Sequence, residues 1–314
     1  MLFPFIPIKI RFLLPLEREL PRVGVYTKGG AKMNAITKEQ AKDTMRDAKP
    51  WIRRFGRFGY MAKGVVYAMI GILALLAAFG PGGETTGTSG ALYSIAEMPF
   101  GELVLWMIGI GLIGYIVWGL IKAIKDPENE GTDAKGIIKR VGYFISAIIY
   151  SNLAFGAIKL ASHTGNAGSG NSEQEISARL MQQPFGVWLI GIVGAIIIGY
   201  GIYEFYSGYK EKFMGKFKTY EMNKKERRLA RNSGKVGLIS RGIVLTMVGF
   251  FFIETALKHD PNQSKGLGGA LSELALQPFG QLLLALVAVG LILYGIYQII
   301  RGRYQHMSFG NHGK

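Results

Sequence analysis

The chain has 314 residues, 49% of them apolar, with 37 Lys and Arg against 21 Asp and Glu, a formal net charge of +16. It contains no cysteine, which excludes disulfides, thiolate catalysis and Cys-ligated metals. The basic excess does not point to nucleic acid, because Lys and Arg gather beside alternate apolar runs of about 20 residues, long enough to cross a hydrocarbon core of roughly 30 Å.

The chain opens with an apolar stretch broken by Pro4, Pro7, Pro15 and Pro21, a spacing that spoils both a spanning helix and the apolar core of a signal peptide. Lys28-Gly29-Gly30 can be encoded by a purine-rich bacterial ribosome-binding sequence placed shortly before Met33. Met33 is therefore the expected start, residues 1–32 a mis-assigned leader, and 33–56 a basic cytoplasmic segment.

Six apolar runs follow, at 58–79, 100–122, 138–160, 185–208, 236–257 and 279–300. Taken in pairs they repeat. The first helix of each pair opens on Arg57-Phe58-Gly59-Tyr60, Arg140-Val141-Gly142-Tyr143 or Lys235-Val236-Gly237-Leu238. Four residues after each Gly stand Lys63, Ser146 and Arg241, each followed by a small residue, Gly64, Ala147 or Gly242. The second helix of each pair is announced by Pro99-Phe100-Gly101, Pro184-Phe185-Gly186 or Pro278-Phe279-Gly280, and Tyr115, Tyr200 and Tyr294 lie at one fixed distance beyond. Proline suits a first helical turn, where its missing N–H costs nothing. Short amphipathic stretches before each triplet, 91–98, 175–182 and 270–277, are expected to be interfacial helices.

Repeat 1 thus covers 57–125, repeat 2 138–210 and repeat 3 235–303, with a basic connection at 211–234 and a tail at 304–314. Basic residues crowd the segment before the first span and the second-to-third and fourth-to-fifth connections, so both termini are expected in the cytoplasm. Each unit has two spans, so all three insert the same way up. The expected fold is all-α: a polytopic membrane protein of six transmembrane helices, in three parallel two-helix repeats about a pseudo-threefold axis.

These openings, triplets and Gly/Tyr-rich helices, repeated three times over about residues 55–305, resemble the bacterial family catalogued as domain of unknown function 1206. The third copy departs from the pattern at Leu238 and Leu245. The resemblance implies a membrane protein and supplies no activity, substrate or catalytic residue.

Ionisable residues inside a span are costly and mark the first places to seek function. Glu204, Lys63 and Arg241 lie at comparable depth and form a candidate intramembrane cluster, readable as an ion path, a lipid-headgroup site, or a salt bridge locking repeats together. Tyr115, Tyr200 and Tyr294 are candidate axial hydroxyls, either a polar constriction or simple donors to neighbouring carbonyls. Glu254 and Lys258 share a helix face and are expected to pair.

In the fourth-to-fifth connection, Phe213, Phe217 and Tyr220 at helical spacing among Lys212, Lys216 and Lys218 predict a basic amphipathic helix lying on an anionic inner leaflet. No catalytic set, metal site or cofactor fingerprint emerges. The sequence leads to a non-catalytic scaffold or lipid- and protein-interaction module of the bacterial plasma membrane. Its expected partners are the anionic inner leaflet, and a second copy or another membrane protein. A small channel or transporter with a polar path between repeats is the alternative.

Overall fold

The computed structural model describes residues 30–80, 85–127, 131–164 and 172–307. The chain divides into two units, Met1–Asp47 and Ala48–Lys314. Of the first, the described part is helical from Gly30; most of the segment expected to be a leader falls outside the described residues.

Among the described residues, six helices are long and apolar enough to cross a membrane: α1 (Gly30–Phe79, crossing from Pro50), α3 (Gly101–Lys125), α4 (Ala134–Ala161, crossing from Lys139), α6 (Gly186–Tyr209), α7 (Lys224–Lys258) and α9 (Gly280–Tyr304). Short helices α2 (Thr88–Ala96), α5 (Ser172–Met181) and α8 (Leu267–Leu276) precede α3, α6 and α9. The chain is a multi-pass integral membrane protein built from three repeats. Large side chains such as Leu76, Phe155 and Leu286 are exposed on the outer faces of their helices, as a lipid environment requires.

The helices form a ring in chain order, and small residues set its spacing. A Cβ on Gly64 of α1 would stand 2.6 Å from the Gly295 carbonyl of α9, and one on Gly295 would stand equally close to the Gly64 carbonyl. Across α6 and α7 the same reciprocity joins Gly194 to Gly249 and Gly201 to Gly242, at 2.7 or 2.8 Å. In lipid there is no hydrophobic gain from helix association, so close backbone approach and dispersion carry it. The α3–α4 contact is looser: Gly109 packs on Ile158, and a Cβ on Gly119 would lie 3.6 Å from the Tyr143 carbonyl oxygen. These three contacts all join one repeat to the next.

Within repeats, helices α1 and α3 meet where a Cβ on Gly59 would lie 2.6 Å from the Gly111 carbonyl and 2.7 Å from the Tyr115 Cα. Helices α7 and α9 meet likewise at Gly237 and Tyr294. The second repeat breaks the pattern. Gly142 of α4, the counterpart of Gly59 and Gly237, meets nothing within 4 Å, and neither does Gly199 of α6. The ring is open between α4 and α6.

The Pro-Phe-Gly triplets differ from the sequence expectation. Each Pro precedes the helix instead of sitting in its first turn. The glycine N–H donates three residues back, Gly101 to Met98 at 2.8 Å, Gly186 to Gln183 at 3.0 Å and Gly280 to Gln277 at 2.7 Å. Pro therefore takes the second place of a tight turn, which its fixed φ suits. Phe takes the third with φ of 62, 64 and 60°, left-handed backbone that is uncommon for a bulky residue. The helix begins at the Gly because a Cβ there would crowd the turn just left, at 2.9 Å from the Ala96 carbonyl in the first copy and 2.9 Å from the Leu274 carbonyl in the third. Each Phe projects outward, more than 80% exposed.

The fourth-to-fifth connection also corrects the expectation. It holds two short 3-10 turns, Lys212–Lys216 and Thr219–Glu221, and no amphipathic α-helix. Phe213 and Phe217 are buried against Tyr297, with ring centroids 5.3 and 5.8 Å away; they face the protein and not a leaflet. Of the residues proposed for lipid contact, Lys212 is exposed and Lys216 and Lys218 are half-buried. Aromatic spacing alone could not distinguish a face turned to lipid from one turned to the bundle. The segment is strapped to the end of α9: the Lys218 N–H donates to the Tyr304 carbonyl and the His306 N–H to that of Lys216, at 2.9 and 3.0 Å. The rest of the basic connection is helical and continuous with α7, started by a reciprocal cap between Asn223 and Glu226.

Two outcomes follow. Gly201→Ala forces a methyl into the α6–α7 crossing and should lower stability by about 1–3 kcal/mol, whereas Gly199→Ala meets open space and should be neutral or raise it by about 0.5–1 kcal/mol. Thermal unfolding of both variants in one detergent measures this, and equal effects would contradict the packing described. At the strap, hydrogen bonding from Arg231 at 2.5 Å holds the Glu211 carboxyl below its ordinary 4.5. A carboxylate with a depressed pKa stabilises above its unfolded value and loses that effect as pH falls through the folded one. Limited proteolysis of residues 210–222 should therefore stay slow down to about pH 4.5 and speed up below it; acceleration near neutral pH would refute the contact.

Candidate functional site

Helix α7 carries Arg241 and α6 carries Glu204 to the same depth, because Gly201 and Gly242 beside them bring the two backbones together. The Arg241 Nη1 donates to the Glu204 Oε1 in an ion pair, and both residues are buried, 6% and 5% exposed. The second carboxylate oxygen, Oε2, is buried without a hydrogen-bond partner. The Arg241 Nε donates to the Tyr67 hydroxyl at 3.0 Å, and the Tyr150 hydroxyl reaches the same oxygen at 3.4 Å.

Lys63 stands beside this pair. Its ammonium lies 4.6 Å from the Tyr150 ring centroid, 5.0 Å from that of Tyr115 and 5.7 Å from those of Tyr67 and Tyr294, and it donates to the Tyr115 hydroxyl at 3.4 Å. Four aromatic faces around one cation offer the quadrupole attraction that replaces part of its lost hydration. Arg241 shares the Tyr67 and Tyr294 rings, at 5.3 and 5.0 Å, and adds Tyr200 at 5.8 Å. The three residues singled out from the sequence are thus brought together. The clasp is Glu204 to Arg241, with Lys63 held by rings and one hydroxyl.

The three tyrosines of the second helices do not face one another across an open axis. Lys63 lies over Tyr115 and Tyr294, and Arg241 lies between Tyr200 and Tyr294, so cations fill the space. The Tyr294 hydroxyl accepts from the Gln298 amide one turn on. Tyr294 is 1% exposed, yet Tyr200 is 42% exposed, because the opening between α4 and α6 leaves its flank uncovered.

Sequence reasoning missed a second layer of cations about two turns nearer the α3 C-terminus. Lys122 is buried, donates to the Tyr60 hydroxyl at 3.3 Å and lies 3.8 Å from the Tyr143 ring. Arg301 sits 4.6 Å from the Tyr60 ring and donates to the Gln305 Oε1 at 2.8 Å. The signal was present: Lys122, Ser207 and Arg301 fall seven residues after Tyr115, Tyr200 and Tyr294, matching the Lys63, Ser146 and Arg241 series. Nearness to the helix ends disguised them as interface-flanking charges. Elsewhere Glu254 and Lys258 pair at 2.6 Å, exposed as a local i,i+4 contact, and Glu102 lies 3.6 Å from the His163 Nε2 at the surface.

Comparison with known proteins agrees with the repeat. The family described as Domain of Unknown Function (DUF1206) matches residues 58–126, 141–211 and 236–305, once per repeat. "Uncharacterized protein YxxB" of Bacillus subtilis (strain 168) is 45% identical over 264 residues, spanning 84% of this chain and 95% of that protein. No solved structure matches.

Breaking the clasp from one side leaves a buried charge uncompensated, which costs about 3–5 kcal/mol. Glu204→Met and Arg241→Met should each destabilise by roughly that amount, and the double variant by clearly less than their sum. A double-mutant cycle from denaturant unfolding reads the coupling directly; additive losses would show that the two side chains do not pair.

Proposed function

This chain belongs to the family described as Domain of Unknown Function (DUF1206), and we propose that it is a non-catalytic interaction module of the bacterial plasma membrane that works by binding. Conduction is the competing class, and the packing around Glu204 carries the choice. A carboxylate lining a hydrated path would be exposed to that path. Glu204 is instead 5% exposed, clasped to Arg241 where two helix backbones approach within a glycine's width. Beside it the Lys63 ammonium and four tyrosine rings occupy the axis.

In this reading both termini and the basic strap lie in the cytoplasm, where Lys and Arg concentrate. The exposed Lys212 of the strap, with Arg227 and Arg228 at the start of α7, faces an anionic leaflet or an acidic partner protein. Charges near such a surface contribute about 1 kcal/mol each. The three outward phenylalanines at the opposite end of the bundle sit where aromatic side chains hold a helix bundle at depth.

Proteoliposome flux separates the classes. With wild type and Glu204→Gln in vesicles, no ion or small-solute flux above empty vesicles is expected, and the variant should only melt at lower temperature. Flux in wild type that falls in Glu204→Gln, with the fold retained, would overturn the binding reading in favour of a channel or transporter.

A further inference from the structure

The six spans are not equally covered. In α1, α3, α7 and α9, 44% to 56% of the apolar stretch is buried; in α4 the share is 33% and in α6 22%. These two helices border the open sector, and each presents a bare stripe. On α4, Gly142, Ile149 and Asn152 share one flank at helical spacing, and on α6 Ile192, Ile196 and Gly199 do the same. Ile149, Ile192 and Ile196 are each at least 45% exposed, and Gly142 and Gly199 meet nothing within 4 Å.

Asn152 is the anomaly on this face. It is exposed and stands inside the Lys139–Ala161 crossing, about 13 Å of helix from its outer end. Among the described residues no hydrogen bond engages its amide. Its counterparts in the other repeats are Met69 and Met247, half-buried against the core. An amide facing hydrocarbon gives up its hydrogen bonds to water and gains none in return, so at this depth it calls for a polar partner. Lipid tails cannot supply one.

We propose that α4 and α6 form the face through which two copies of this chain pair, with Asn152 beside the twofold axis. Copies of one membrane protein insert the same way up, so the axis lies along the membrane normal and brings identical residues together at identical depth. Asparagine carries both donor and acceptor, and the two Asn152 amides satisfy each other across the axis. The unused Gly142 and Gly199 let the incoming helix approach closely, as Gly59 and Gly237 do for their own partners in the closed repeats. No charged side chain stands on either stripe, so like meets like without repulsion. The pairing rests on the binding-module reading and names its partner as a second copy.

The chain has no cysteine, so a single introduced cysteine in the purified protein can form a disulfide only with another copy. Oxidised in phosphatidylglycerol and phosphatidylcholine vesicles, Ile149→Cys should give a linked species of twice the mass. Val289→Cys, 45% exposed on α9, should stay single. Förster transfer between two pools labelled at a C-terminal tag, followed as lipid dilutes the protein, measures the affinity. Asn152→Leu should weaken pairing about tenfold, with the melting temperature of the diluted single chain unchanged. Wild type that stays monomeric at every dilution, or equal cross-linking at both cysteines, overturns the pairing. Pairing that Asn152→Leu leaves at full strength overturns the axis at Asn152. A cross-link from Ile149→Cys to a different protein in cell membranes, with the purified chain monomeric, overturns the second copy in favour of that protein's helix. The two readings fail separately: Glu204-dependent flux from a paired protein rejects the binding module alone, and a monomer without flux rejects the pairing alone.

Discussion

The structure depends on how closely helix backbones approach where one repeat hands over to the next. In a hydrocarbon solvent, association between apolar helices gains little from excluding water, so contact distance sets the strength of the joint. Glycines facing glycines at Gly64 and Gly295, Gly194 and Gly249, and Gly201 and Gly242 shorten that distance until carbonyls touch the opposing helix. The Glu204–Arg241 pair and Lys63 are positioned from these crossings. Glu204 reaches Arg241 because it lies one turn from the Gly201–Gly242 contact, and Lys63 enters the tyrosine cage from the residue preceding Gly64.

Once the crossings are set, the bundle must solve the electrostatics of basic side chains held away from water. It does so with three devices of decreasing strength. A carboxylate neutralises Arg241. Ring faces surround Lys63 and flank Arg301. Hydroxyls of Tyr115, Tyr60 and Tyr67 accept one hydrogen bond each from Lys63, Lys122 and Arg241. The tyrosines are thus structural acceptors for cations, which explains why hydroxyl-bearing rings recur along the axis where phenylalanine would fill the same volume.

The departure from threefold symmetry has a single origin in repeat 2. Serines replace both cations, so no long basic side chain spans that sector to its partner helix. Ile196 stands where the other copies have Gly111 and Gly290, which pack on α1 and α7, and its bulk prevents the same approach of α4. The result is a closed joint at two within-repeat pairs and a cleft at the third.

Much of this was legible in the residues. Six spans, the two-helix unit and its triple copy follow from length, hydropathy and spacing, because an apolar run of about 20 residues crosses a bilayer as a helix that satisfies its own backbone. Glu204, Lys63 and Arg241 were identifiable as a cluster because charge at membrane depth is rare enough to be informative on its own. What only the tertiary structure decided was which neighbour each side chain meets. Phe213 and Phe217 have the spacing of a lipid-facing helix, yet they pack on Tyr297. The three second-helix tyrosines are equivalent in sequence, yet one is exposed and one sealed. The physical reason is the same throughout: periodicity specifies the face of a helix, while the partner of that face depends on backbone separations set by residues far away in the chain.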